Sequence, residues 1–205
     1  VDKIKEYKIP EGTSTAKGKS LFNILPLKSH HAISSIMPLP EDENEWKNLK
    51  IIFVTSKGNI RKNSLEDFIN INTAGKIAMK LSENDKIIGV KICRDDQDIL
   101  LSSKYGKCIR FMSSKLRLFK GRSSKGIKGM QLAEGDEIIS LSILDNIKIN
   151  LQKINKDQKL KKGLEKFILS VSENGYGKRT SYFDYRVTNR GGKGIIGILN
   201  SPRNG

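Results

Sequence analysis

The residues of this chain best suited to chemistry are glycines and cations set side by side. In Asn189-Arg190-Gly191-Gly192-Lys193-Gly194-Ile195, three glycines remove the side-chain barrier to positive φ and let another backbone come close. Arg190 and Lys193 place positive charge beside that backbone, a combination that suits a polyanion. Weaker copies precede it at Thr15-Ala16-Lys17-Gly18-Lys19, Thr73-Ala74-Gly75-Lys76-Ile77 and Ser123-Ser124-Lys125-Gly126-Ile127-Lys128. One such turn would mean little; four make a pattern.

Other chemistries are poorly served. Gly12-Thr13-Ser14-Thr15-Ala16-Lys17-Gly18-Lys19-Ser20 nearly spells a nucleotide-binding phosphate loop, but five residues separate its glycines where the motif has four. The next stretch, Ser20 to Pro26, reads as a strand and not as the helix such a loop needs. Gly121 to Gly126 has the right spacing, yet Ile127 stands where the lysine belongs. His30 and His31 are adjacent and would point to opposite faces of a strand, which argues against a shared metal. Cys93 and Cys108 lie inside apolar runs and read as buried free thiols. Carboxylates are scattered singly; Asp85 and Asp136 occupy equivalent places in a repeat and read as turn or cap residues.

Charge points the same way as the turns. With 38 Lys+Arg against 22 Asp+Glu, the net charge of +16 favours an anionic partner, nucleic acid first. Most of these cations are lysines in a chain also rich in Ile and Asn, so the arginines are the more informative. No apolar run approaches a membrane span and no signal-peptide pattern opens the chain, so a soluble intracellular protein is expected.

The elements that must position these turns are hairpins. Ile51 to Lys62 is an apolar strand, a Lys57-Gly58 turn, and a second strand ending in the basic Arg61-Lys62 pair. Ile99 to Arg110 repeats it around Gly106, and Phe167 to Arg179 around Gly175, where Lys178 precedes the arginine. Four residues past each turn glycine comes a cation: Lys62, Arg110 and Arg179. The basic turns follow at Gly75, Gly126 and Gly194, and Asp85 and Asp136 each stand ten residues beyond theirs, opening another apolar run. The period is about 50 residues with four short strands, the size of a propeller-type blade. The predicted fold is therefore all-β, an array of four-stranded antiparallel blades in one domain. The approximate units are 1–48 (partial), 49–98, 99–166 and 167–205 (partial).

Before the first hairpin, Ile4 to Ile9, Ser20 to Leu27 and Ala32 to Leu39 read as strands. Pro40 to Asn48 reads as an acidic loop whose Trp46 covers one end of the core. The turn glycines of the second and third hairpins lie farther apart than those of the first two, which places an insertion near Asp145 to Lys166 holding seven lysines. It reads as a surface loop or an extra nucleic-acid arm. Ser64 to Phe68 and Ser113 to Phe119 could be helical, but are too short to be more than connecting turns.

A four-stranded repeat of this length, whose basic turn approximates Gln-Arg-Arg-Gly-Gly-Lys-Gly, resembles the C-terminal DNA-wrapping domain of bacterial DNA gyrase A. The likeness covers the whole chain. It is carried by Ile9 to Thr13, Asn23 to Leu27, Asn72 to Lys76, Asp85 to Val90, Gly126 to Met130, Glu134 to Asp136 and Glu173 to Thr180. It implies a β-pinwheel whose blades exchange a strand with their neighbours and wrap duplex DNA around a basic rim, supporting negative supercoiling by an ATP-dependent type II topoisomerase. The partners it implies are double-stranded DNA, the rest of gyrase A and gyrase B, in the bacterial cytoplasm at the nucleoid. Thr188 to Gly194 keeps five of the seven family residues and lies in a late blade, so the true box is expected in a blade upstream of Val1. The chain then reads as a fragment without the catalytic tyrosine, and Tyr176, Tyr182 and Tyr185 are not nucleophiles. No cofactor is expected in this domain, ATP and Mg belonging elsewhere in the full enzyme.

The candidate DNA-binding residues are Arg190, Lys193, Arg179, Lys178, Arg110, Lys62, Arg61, Lys17, Lys19, Lys76, Lys125, Lys128 and Arg122, with Gly191, Gly192, Gly194, Gly126, Gly75 and Gly18 shaping the turns. Such a surface reads little sequence and works through phosphates. Neutralising about nine of them would give a salt slope near −8. The related C-terminal domain of topoisomerase IV and a protein-binding propeller are the alternatives, the latter with no salt-dependent DNA affinity.

Overall fold

The computed structural model describes residues 1–25, 27, 32–121, 123–146 and 165–205. β1 (Lys50–Thr55) and β2 (Asn59–Ser64) form the first hairpin, turning at Gly58 with φ of +80°. β4 (Gln97–Ser103) and β5 (Lys107–Met112) form the second and β8 (Phe167–Val171) and β9 (Gly177–Ser181) the third. Each hairpin is antiparallel, as its apolar run and glycine turn predict.

The first two hairpins are completed into four-stranded sheets. β3 (Ile87–Cys93) and β6 (Ile127–Lys128) flank the first, in the order β3-β1-β2-β6. β7 (Ile138–Asp145) and β10 (Ile195–Ile196) flank the second in the equivalent order β7-β4-β5-β10. The register of the long outer pairing shifts at the same place in both, between Val54 and Thr55 and between Ser102 and Ser103. The short outer strands β6 and β10 lie in sequence beyond the next hairpin, so each complete blade borrows a strand from its successor.

Sandwiching buries the strands of the first two hairpins on both faces. Ile52 and Val54 of β1 join Ile99, Leu101, Ile109 and Phe111 in a core between the two blades. The alternate residues Ile51 and Phe53 face a second cluster with Leu65, Phe68 and Trp46. From β4, Leu100 faces a third, with Tyr182 and Tyr185. A continuous apolar strand is what burial on both sides requires. Trp46 closes the second cluster at 1 % exposure, its indole N–H donating to the Pro40 carbonyl. Cys93 and Cys108 are buried free thiols, and burial pushes both pKa values up.

Asp85 and Asp136 act as caps. The Asp85 Oδ1 accepts from the Ser56 hydroxyl and the Lys57 and Lys86 amides; that of Asp136 accepts from the Tyr105 and Glu137 amides. Both tie the blade's outer strand to the hairpin turn. The connecting turns are 3-10, at Leu65–Phe68, Ser113–Lys115 and Tyr182–Asp184.

The strands expected before residue 40 are absent among the described residues. The described part of this stretch holds 3-10 turns at Glu6–Lys8 and Leu21–Asn23 and no strand, and it is mostly exposed. An apolar run becomes a strand only when another strand pairs with it. The adjacent pair His30 and His31, and most of the lysine-rich insertion, including Lys159 and Lys161, lie outside the described residues.

Candidate nucleic-acid interface

The basic turns adjoin one another in space. The Gln131 amide, five residues past Gly126, donates to the carbonyl of Gly192, two before Gly194. The Lys80 amide, five past Gly75, donates to the carbonyl of Ser124, two before Gly126. One backbone hydrogen bond therefore recurs from turn to turn. The Arg190 loop adds two more bonds, its Nη1 to the Lys128 carbonyl at 3.1 Å and the Gly191 amide to the Gly129 carbonyl. The turns at Gly75, Gly126 and Gly194 so form one strip. Lys80, Lys125, Lys128, Arg190 and Lys193 are exposed along it, while Lys76 is half-buried and donates to the Asp67 and Asn70 carbonyls.

Positive φ makes this possible. Gly75, Gly126 and Gly194 have φ of +77°, +82° and +72°. A Cβ on Gly126 would stand 2.5 Å from the Ile60 carbonyl oxygen and one on Gly194 2.4 Å from that of Cys108, so the turns lie directly on the strand of the preceding blade.

Two arginines not singled out from sequence belong to this surface. Arg117 and Arg186 stand eleven residues past Gly106 and Gly175, and both are exposed. Arg117 lines a cleft of about 350 Å3 with Lys120, Ser123 and Ser124, its guanidinium 4.3 Å from the Phe119 ring centroid. Arg186 lines an equivalent cleft of about 210 Å3 with Asn189, Lys193 and Gly194. Counting eleven from the turn glycine would have found both.

Three expected DNA contacts must be corrected. Arg61, Lys62 and Arg110 are all buried, at 0 %, 4 % and 6 % exposure, and are occupied within the protein. Arg61 donates from Nε to Asn63 and from Nη1 to Ser124, and lies over Phe119; burial, then the neighbouring Arg117 charge, lowers its pKa. Lys62 reaches Asp95 at 2.8 Å and the Ser113 carbonyl at 2.9 Å. Arg110 pairs with the fully buried Asp98 at 2.8 Å and donates to the Tyr182 and Tyr185 carbonyls. The regular spacing is real, but it places the cations between blades instead of on the rim.

The remaining candidates are dispersed. Lys17, Gly18 and Lys19 are exposed, and a Cβ on Gly18 would have nothing within 4 Å. Lys178 is exposed with its ammonium on the Gly197 carbonyl, and Arg179 is exposed over the Phe167 ring. Arg122 lies outside the described residues. Among the described residues no group of three or more His, Cys, Asp or Glu could hold a metal, and no helix is long and apolar enough to cross a membrane.

Comparison with known proteins gives a consistent result. The family model for the DNA gyrase C-terminal domain, beta-propeller, matches residues 3–40, 49–94, 97–145 and 166–203. DNA gyrase A of Rickettsia bellii is 43 % identical over 225 residues, covering 95 % of this chain and 25 % of that protein. The Staphylococcus epidermidis protein of the same name is 36 % identical over the whole chain and 21 % of its own length. The chain spans about a quarter of the length of these relatives. A solved DNA gyrase A C-terminal domain superposes with a TM-score of 0.72 at 25 % identity, covering 93 % of this chain and 56 % of that one. A DNA topoisomerase IV C-terminal domain, at 22 % identity and a TM-score of 0.69 over 87 % of this chain and 49 % of that one, shares the fold.

Proposed function

Since the chain belongs to the DNA gyrase C-terminal, beta-propeller family, we propose that it binds duplex DNA along its strip of basic turns and bends it around successive blades. The observation that carries this reading is the repeated Gly+5 amide to Gly−2 carbonyl bond, which joins separate Gly/Lys turns into one exposed cationic track. Phosphates repeat along a duplex, and a track of repeated cations matches them without reading bases.

Bending supplies the physical reason for several blades. A half-turn over a few tens of base pairs costs on the order of 10 kcal/mol, more than the contacts of one turn can hold. A row of turns on a rigid all-β frame spreads that cost. In the full protein this serves negative supercoiling by the ATP-dependent type II topoisomerase DNA gyrase. The partners are the remainder of gyrase A together with gyrase B, in the bacterial cytoplasm at the nucleoid, with ATP and Mg used outside these blades.

Burial of Arg61, Lys62 and Arg110 lowers the expected salt slope. With Lys80, Arg117, Lys125, Lys128, Arg186, Arg190 and Lys193 each neutralising one phosphate, the slope is about −6. Titration of the 205-residue chain with a duplex of roughly 40 base pairs across a salt series tests this. A steep slope supports the reading; absence of binding at low salt would turn it toward a protein-binding propeller.

A further inference from the structure

The buried cations form a series of their own. Lys62 lies four residues past Gly58 and donates to the carbonyl of Ser113, seven past Gly106. Arg110, four past Gly106, donates to the carbonyl of Tyr182, seven past Gly175, and to that of Tyr185. In each case the second strand of one hairpin reaches into the 3-10 turn of the next blade.

A third member stands at Lys3. The Val1 carbonyl accepts from the Lys76 amide, and a Cβ on Gly75 would lie 3.3 Å from it. That is the place of Ile60 beneath Gly126 and of Cys108 beneath Gly194, so Lys3 stands where Lys62 and Arg110 do, two residues on. Its ammonium donates to the Ile69 carbonyl, just past the 3-10 turn Leu65–Phe68, and to Glu43. Every member also has an acid: Glu43, Asp95 and Asp98.

We infer that Lys3, Lys62 and Arg110 are positioning residues that fix the angle between adjacent blades, and thereby the path of bent DNA, without touching the DNA. Burying a cation is costly compared with leaving it on the surface, and doing so at two successive seams, with Lys3 half-buried at a third, calls for a role that an apolar residue would not fill. Directional bonds to a turn carbonyl and an acid set a relative orientation; apolar packing, which is non-directional, sets mainly a distance. Arg179, at the same position in the third hairpin, is exposed and lies over Phe167 of its own hairpin.

This rests on the DNA-bending reading, and Lys62 offers the test that separates the two. Its acid Asp95 is half-exposed, so Lys62→Met returns that carboxylate to water and the hairpin stays folded. Because Lys62 makes no phosphate contact, the salt slope shifts by less than about 0.9, the value of one contact. The approach of labelled duplex ends should fall by half or more, and Lys62→Arg, which keeps the donors, should restore it. A second readout needs no DNA: cysteines introduced at exposed Lys47 and Glu173 and spin-labelled should show a broader distance distribution in Lys62→Met than in the parent chain. Unchanged bending and an unchanged distribution would overturn the inference while leaving DNA bending intact. A loss of one full unit of salt slope would overturn it by making Lys62 a direct contact. A parent chain that binds without drawing the ends together would fail the underlying reading first, and a label distribution unaltered by Lys62→Met would then dismiss the seam role as well.

Discussion

Gly126 turns with a φ of +82° directly against the carbonyl of Ile60, where an added Cβ would sit 2.5 Å from the oxygen. Two penalties coincide there, the left-handed backbone and a collision with main chain. Gly126→Ala should cost about 1–3 kcal/mol from the backbone conformation alone and more from the clash. Gly18, at φ of +70° with nothing within 4 Å, carries only the first penalty. Urea unfolding of the two variants should therefore show the larger loss for Gly126→Ala; equal losses would mean the strand beneath gives way freely.

Arg110 and Asp98 form an ion pair with both partners buried. Arg110→Ala leaves the Asp98 carboxylate inside with one remaining donor, Asn146, and should cost about 3–5 kcal/mol in urea or thermal unfolding. Arg190→Ala, by contrast, removes an exposed cation and should leave stability within about 0.5 kcal/mol while weakening DNA binding. The opposite pattern would exchange the roles assigned to seam and rim.

The hairpins, their glycine turns and the Asp85 and Asp136 caps are legible in the sequence because each is a local device recurring at fixed spacing. Facing is not. Lys62 and Arg110 occupy strands buried on both sides, where alternation no longer separates inside from outside, so a regular cation series reads as a surface feature. Lys3 escapes notice because its equivalence to Lys62 and Arg110 rests on the bond from the Lys76 amide to the Val1 carbonyl, a contact between residues far apart in sequence. The apolar, proline-bearing runs before residue 40 carry strand composition, but pairing depends on a neighbour that composition does not reveal. The joining of the basic turns through Gln131 and Lys80 is a long-range contact that no local pattern announces.

Arg117→Glu with Arg186→Glu tests the two arginines found only in the structure. If each contacts one phosphate, the double variant should flatten the salt slope by about 2. Reversal of Arg190 and Lys193 should weaken binding more than reversal of Lys159 and Lys161 in the insertion. Equal effects for the two pairs would mean that bulk charge alone governs affinity.

Asp145 ends β7, and its carboxyl is held below the ordinary aspartate range, first by a hydrogen bond from Lys166 and then by one from Gln97. A depressed native value means that the stabilisation is complete above the unfolded pKa, near ~4, and is lost as pH falls through the lower native value. The carboxyl is partly exposed, which screens the effect. Asp145→Asn should lower stability at neutral pH slightly and flatten the acid limb of the curve; a limb of unchanged steepness would place the acid sensitivity elsewhere.

The most direct measurement is the end-to-end distance of a duplex of roughly 40 base pairs, below the persistence length and so nearly straight when free, followed by energy transfer as the protein is added. A bending role predicts that the ends draw together at saturation, with an affinity that falls steeply with salt. Saturable binding with the ends at the free-duplex distance would contradict it, leaving a basic surface that holds DNA without bending it.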